Sequence, residues 1–217
     1  MDENKITEIN EIGLNEVGSL LTPKYKIKKL KKILTRLIKV LNILKIKWWA
    51  DGGTLLGLIK YESIIPWDDD IDLGILLIDE DKIYNNFHVF EQNNLRVRKN
   101  RTNTYWQIDN ISKDDILNEI HIDIFLYKYN APLNTILYNT DSRFILPDIE
   151  SGHCNIQYKH SDLFPLIQKP FYNFTIYCPN NYNNVLSNSL GDDYLEKIII
   201  KKNTPSAYKI YKVINQN

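Results

Sequence analysis

The run IIPWDDDIDLGILL, Ile64 to Leu77, sets Asp68, Asp69, Asp70 and Asp72 among apolar residues. Carboxylates this close repel, and each raises its neighbour's proton affinity unless something compensates. An acidic surface turn explains Asp68 and Asp69, but DIDLGILL (Asp70–Leu77) reads as a strand entering a core. In extended chain, residues two apart share a side, so Asp68, Asp70 and Asp72 would face one way. Asp123 repeats the pattern within HIDIFLYKY, His121 to Tyr129. There Ile120, Ile122, Ile124 and Leu126 alternate with His121, Asp123, Phe125 and Tyr127. Two such strands side by side would gather Asp70, Asp72 and Asp123, with Asp68 as an outer member. A divalent cation is the usual compensation for buried carboxylates, and an all-oxygen donor set suits Mg²⁺ or Mn²⁺. A calcium EF-hand is excluded: Leu73 stands where the loop needs glycine, Asp79 where it needs Glu, and Pro66 interrupts any entering helix.

The rest of the chain reads as alternating helices and strands. Thr22-Pro23 predicts a capped helix start. Ile27, Leu30, Ile33, Leu34, Leu37, Ile38, Leu41 and Leu44 then follow at helical spacing, with the intervening lysines on a solvated face. KIKWWA (45–50) predicts a strand, Gly52-Gly53 a break, and TLLGLIK (54–60) a short helix. Residues 79–94 predict one helix, LRVR (95–98) and TYWQID (104–109) strands, and 130–160 loops. FYNFTIYCP (171–179) predicts a strand, and NNYNNVLSNSLG a capped helix ending at Gly191.

With 27 basic and 27 acidic residues the net charge is zero, which gives no sign of a nucleic-acid partner. Cys154 and Cys178 are too few for a disulfide scaffold, and with His153 and His160 they lack the spacing of a zinc knuckle. No apolar window is long enough to span a membrane. The polar, acidic N-terminus has no signal core, which predicts a cytoplasmic location.

The glycine pair adds a second half to the site. Gly52-Gly53-Thr54, between a strand and a helix, would offer N–H groups and a hydroxyl to phosphates. The segment GGTLLGLIKYESIIPWDDDIDLG (52–74) resembles the signature of the LicD/fukutin family, especially its fukutin-related branch. HIDIF (121–125) resembles the strand of that family's third carboxylate. DLFPL (162–166) and FYNFTIYCPNNYNNVLSNSLGDD (171–193) resemble its C-terminal motif. The likeness covers about residues 30–195; Lys60 and Ser63 stand where the family pattern has arginine and glycine.

The resemblance implies one α+β domain of nucleotidyltransferase-like fold, a mixed β-sheet flanked by helices. It would occupy 22–200, with a loosely ordered lead-in at 1–21 and a C-terminal tail at 201–217. It also implies a metal-dependent phosphotransferase that moves ribitol phosphate or phosphocholine from a CDP-alcohol to a glycan hydroxyl, releasing CMP. Asp70, Asp72 and Asp123 would be catalytic and hold Mg²⁺ or Mn²⁺, with Asp123 taking the acceptor's proton. Gly52, Gly53, Thr54 and Lys60 would hold the donor phosphates. The same carboxylates would also serve a nucleotidyltransferase that keeps the nucleoside monophosphate on its product. A glycan- or nucleotide-binding protein without turnover is the third reading.

Overall fold

A computed structural model describes residues 21–111, 120–138, 157–201 and 208–212. Helix α1 (Lys24–Ile43) buries Leu30, Ile33, Leu34, Leu37 and Leu41 of the expected stripe, and Val40 besides, while Ile27, Ile38 and Leu44 are partly buried. Thr22 does not cap it. Its N–H donates to the Pro66 carbonyl at 2.9 Å, and its hydroxyl to that of Asp68 at 2.6 Å. A tertiary partner thus replaces the local cap and ties the start of α1 to the acidic loop.

The chain then builds β1 (Trp48–Ala50), α2 (Gly52–Tyr61) and β2 (Ile71–Leu76). The single helix expected over 79–94 is instead a 3₁₀ turn followed by α3 (Glu80–Tyr84) and α4 (Phe87–Gln92). Asn85 and Asn86 break it, and the Asn86 side chain donates to the Lys82 carbonyl at 2.8 Å. Such side-chain competition for backbone groups disfavours continuous helix. Strands β3 (Leu95–Lys99), β4 (Trp106–Asn110) and β5 (Ile122–Asn130) follow as expected.

Two short strands, β6 (Thr135–Tyr138) and β7 (Gln157–Lys159), occupy the ends of the stretch expected to be loops. After α5 (His160–Leu163), the one strand expected at 171–179 is a hairpin of β8 (Ile167–Phe171) and β9 (Phe174–Cys178). It turns at Tyr172, whose φ is 55°. Helix α6 (Tyr182–Leu190) is capped by Asn181, which accepts from the Asn184 N–H at 3.3 Å, and stops at Gly191. Strands β10 (Lys197–Lys201) and β11 (Tyr208–Lys212) pair antiparallel across the expected start of the tail. Of the expected lead-in at 1–21, all but Leu21 lies outside the described residues.

The main sheet has the order β1-β2-β5-β4-β3, and β6 and β7 extend it from the second half of β5. Among the described residues, only β2 and β5 of this sheet run parallel; the other pairs are antiparallel. This mixed sheet flanked by helices is the α+β architecture expected. Register sorts its two faces. Ile71, Leu73, Ile75, Ile108, Ile122 and Ile124 fall on one face and are fully buried. Helix α1 covers that side: its Arg36 donates to Asn110, which shares the face with Ile108, at 2.8 Å. Asp72, Asp123 and Gln107 fall on the other face, which α2 covers.

Candidate active site

Parallel pairing of β2 and β5 sets Asp72 directly beside Asp123, and antiparallel pairing with β4 sets Gln107 beside Asp123. The expected meeting of the two carboxylate strands is therefore a matter of register. Asp123 is 7% exposed, and its Oδ1 accepts from Gln107 Nε2 at 3.1 Å. His121 Nε2 lies 3.4 Å from the same oxygen. The Gln107 amide is oriented in turn, because Arg98 donates to its Oε1.

The loop before β2 is folded rather than extended. The Asp68 N–H donates back to the Ile65 carbonyl at 2.8 Å, and side-chain oxygens of Asp68, Asp69 and Asp70 come within 4.8 Å of one another. Asp69, expected to point away, joins this group and pairs with Lys26 of α1. Asp72, the second residue of β2, is partly buried. Burial, then the charges of Asp70, Asp68, Asp123 and Asp51, push its carboxyl well above the usual carboxylate range. The Asp68–Asp70 group, with Asp72 two residues on repelled by the same charges, fits a hard divalent cation, which would relieve the repulsion.

Helix α2 is clamped to Asp72 through backbone. The Asp51 N–H donates to the Asp72 carbonyl at 3.0 Å, and the Asp72 N–H donates to Thr54 Oγ1 at 2.8 Å. The Thr54 hydroxyl, expected to face phosphate, thus accepts a bond that fixes Asp72. Gly52 has a φ of 47°, which favours glycine. A Cβ on Gly53 would stand 2.7 Å from Asp68 Oδ2 and 3.7 Å from Asp72 Oδ2, so the helix end lies against these carboxylates and a side chain there would make Asp68 shift. Lys60 lies in the last turn of α2, with Nζ 5.7 Å from the Tyr61 ring centre. It stands about 10 Å along the helix axis from the glycines, and the structure does not bring it to their end.

Three further residues belong to the neighbourhood. Asp51 is 3% exposed, and its Oδ2 accepts from the Tyr127 hydroxyl at 2.5 Å. It stands straight after the strand segment KIKWWA, a carboxylate next to apolar sequence as Asp123 is within its own strand, and so was findable from sequence. Gln107 and Tyr105 were not, because their relevance depends on how β4 pairs. A cleft of about 740 Å³ lies elsewhere, between Lys45, Lys47, Trp48, His160, Phe164 and Tyr177. It reaches β2 at Leu76, about 13 Å along the strand from Asp72. The candidate site is drawn from the carboxylate register, not from that cleft. Cys178 is a buried free thiol, pushed up to about 11 by burial. His153 and Cys154 lie outside the described residues.

The profile of the family described as LicD/FKTN/FKRP, nucleotidyltransferase domain, matches residues 45–181. An uncharacterized protein of Rickettsia typhi is 30% identical over 135 residues, covering 62% of this chain and 36% of that protein. The human ribitol 5-phosphate transferase FKRP is 25% identical over 180 residues, covering 81% of this chain and 34% of its own. The human ribitol-5-phosphate transferase FKTN is 40% identical over 52 residues, 24% of this chain and 11% of that one. The chain thus spans about a third of the length of the first two relatives. The crystal structure of the lincosamide antibiotic adenylyltransferase LnuA with lincomycin bound is 11% identical with a TM-score of 0.45, covering 81% of this chain and 98% of that one. The matched profile takes in the glycine pair, the acidic loop and both carboxylate strands, and by that match the chain belongs to the LicD/FKTN/FKRP nucleotidyltransferase-domain family.

Proposed function

We propose that this chain is a metal-dependent transferase that moves an alcohol phosphate of the ribitol phosphate or phosphocholine type from a CDP-alcohol to a glycan hydroxyl. The observation that carries the reading is Asp72 beside Asp123 on parallel strands, with Gly53 held against Asp68 and Asp72. The family supports it too, since two human relatives bear the name of ribitol 5-phosphate transferases.

In this reading the acceptor oxygen forms a bond to the phosphorus that carries the alcohol. The bond from that phosphorus to the bridging oxygen breaks, and CMP leaves. Asp70, Asp72 and Asp123 would hold Mg²⁺ or Mn²⁺, with Asp68 at the rim. When bound, the cation neutralises charge on the attacking and leaving oxygens. Asp123 takes the proton of the acceptor hydroxyl, and Gln107 and His121 orient its carboxylate. Gly52 and Gly53 present N–H groups of the first turn of α2 to the donor phosphates, where the helix end favours negative charge. Lys60 contributes positive charge at the far end of that helix, and the carboxylates of Asp70 and Asp72 stay in place through the clamp on Asp72.

The test is CMP release from CDP-ribitol and CDP-choline with Mg²⁺ and a panel of glycan acceptors. Wild-type protein should release CMP and leave the alcohol phosphate on the acceptor, and Asp70→Ala/Asp72→Ala protein should not. Nucleoside monophosphate found on the product would make the protein a nucleotidyltransferase. Binding without turnover by wild type would make it a binding protein on this scaffold.

A further inference from the structure

Tyr105 stands at the start of β4 on the carboxylate face of the sheet. Gln107 pairs with Asp123 and Trp106 with Ile124, so antiparallel register carries Tyr105 opposite Phe125. The two rings lie 4.9 Å apart at 46°. Phe125 is two residues beyond Asp123 on the same face, so the phenol lies diagonally across from that carboxylate, within reach of a long side chain. The sheet order β1-β2-β5-β4 then puts the residues in a row. Gly53 of α2 flanks the carboxylates on the β2 side, and Tyr105 flanks them on the β4 side.

The loop that delivers Tyr105 is built around one buried side chain. Asn100 Oδ1 accepts from the N–H groups of Thr104 at 2.7 Å and Tyr105 at 3.3 Å. Its Nδ2 donates to the hydroxyls of Thr102 at 2.6 Å and Thr104 at 3.1 Å. The Asn100 N–H donates to the Tyr105 carbonyl at 3.0 Å, which closes the loop. Asn100 is 9% exposed, whereas Thr102 is exposed and Tyr105 partly so. So many bonds to one amide hold a half-exposed aromatic ring in place at the edge of the core.

We propose that Tyr105 is a substrate-contact residue, whose phenol donates a hydrogen bond to a phosphate oxygen of the nucleotide held at the carboxylates, with Asn100 as its positioning residue. The proposal rests on the reading of this site as a CDP-alcohol transferase centre. A neutral donor suits the place. Burial first, then the charge of Asp123, pushes the phenol up to about 12, so it keeps its proton at physiological pH. A lysine here would be drawn into pairing with the aspartates, whereas a phenol can serve an anion without neutralising the ligands of a cation.

Calorimetric titration of CMP into Mg²⁺-loaded protein tests it, alongside the KM for CDP-ribitol and Mn²⁺ binding followed by electron paramagnetic resonance. Tyr105→Phe keeps the ring and removes only the hydroxyl. It should weaken CMP and raise the donor KM about tenfold, the range for a hydrogen bond to a charged group, with Mn²⁺ binding unchanged. Asn100→Ala should weaken CMP as well, and adding Tyr105→Phe to it should cost less than in wild type. CMP affinity and donor KM both unchanged in Tyr105→Phe would overturn the proposal, while CMP release by the same protein would leave the reading of function standing. If wild type binds UMP but no cytidine compound, the CDP-alcohol reading fails, and a tenfold loss of UMP in Tyr105→Phe still supports the contact. A wild type that binds no nucleotide with either metal overturns both.

Discussion

The two faces of the central sheet are built from the same strands, alternate residue by residue, and obey opposite rules. On the α1 face, Ile71, Leu73, Ile75, Ile122 and Ile124 are wholly buried against apolar neighbours. On the α2 face the same strands offer Asp72 and Asp123, with Gln107 from β4, gathered where charge is hardest to bury. One face stabilises the fold, and the other stores an electrostatic cost that the first must offset. Gly74 shows how finely the second face is packed. A Cβ there would come within 2.3 Å of the Trp49 ring, which itself packs against Tyr127 and Phe164.

Four substitutions would break or sharpen the contrast. Leu37→Ala, in the stripe of α1, should destabilise by about 2–5 kcal/mol, read by denaturant unfolding, with turnover per folded molecule unchanged. A loss of turnover beyond the folded fraction would mean that the faces are not separable. Asp123→Ala should lower kcat by roughly 10²–10³ and leave thermal stability near wild type. A mild loss of activity would remove Asp123 from the chemistry. Gly74→Ala should cost about 1–3 kcal/mol as Trp49 is displaced, visible as a lower Tm, and an unchanged Tm would show that the ring can yield.

Asp72→Asn should act in the other direction. In the metal-free fold, burial and then Asp70, Asp68, Asp123 and Asp51 hold the Asp72 carboxyl well above its ordinary range. Above about pH 4 the unfolded chain has released that proton while the folded one keeps it. Stability therefore falls as pH rises from there, and levels once the folded carboxyl ionises. In EDTA, Asp72→Asn should flatten that decline and raise the Tm at neutral pH by a few degrees, about 2–4 °C for each kcal/mol. Parallel pH profiles for variant and wild type would show that the cost lies in another group. Added Mg²⁺ should stabilise wild type and leave the variant behind.

Much of this was legible in the chain itself. The stripe of α1 and the alternation of β5 reflect periods of 3.6 and 2, which burial imposes on local sequence. The cap at Asn181 and the stop at Gly191 are local chemistry as well. What misled was equally physical. Thr22 has a better partner in the acidic loop than at its own helix, and Tyr172 turns what reads as one strand into two. The pairing that gives β7 its strand form joins Leu137 to Gln157 and Thr135 to Lys159, a separation beyond any local signal.

The sequence alone determined that carboxylates would enter the core on two strands, because Asp70, Asp72 and Asp123 sit in apolar frames that no solvated turn explains. It also placed a glycine pair before the first of them. Only the tertiary structure decided that Asp72 and Asp123 lie abreast and that Asp68, Asp69 and Asp70 fold into one cluster. The same holds for Thr54 binding Asp72 rather than facing solvent, and for the drawing of Asp51, Gln107 and Tyr105 into the neighbourhood. The reason is register. A strand's period says which residues share a side, but which neighbour each one meets depends on pairing across the sheet, and pairing is settled by the packing of the whole.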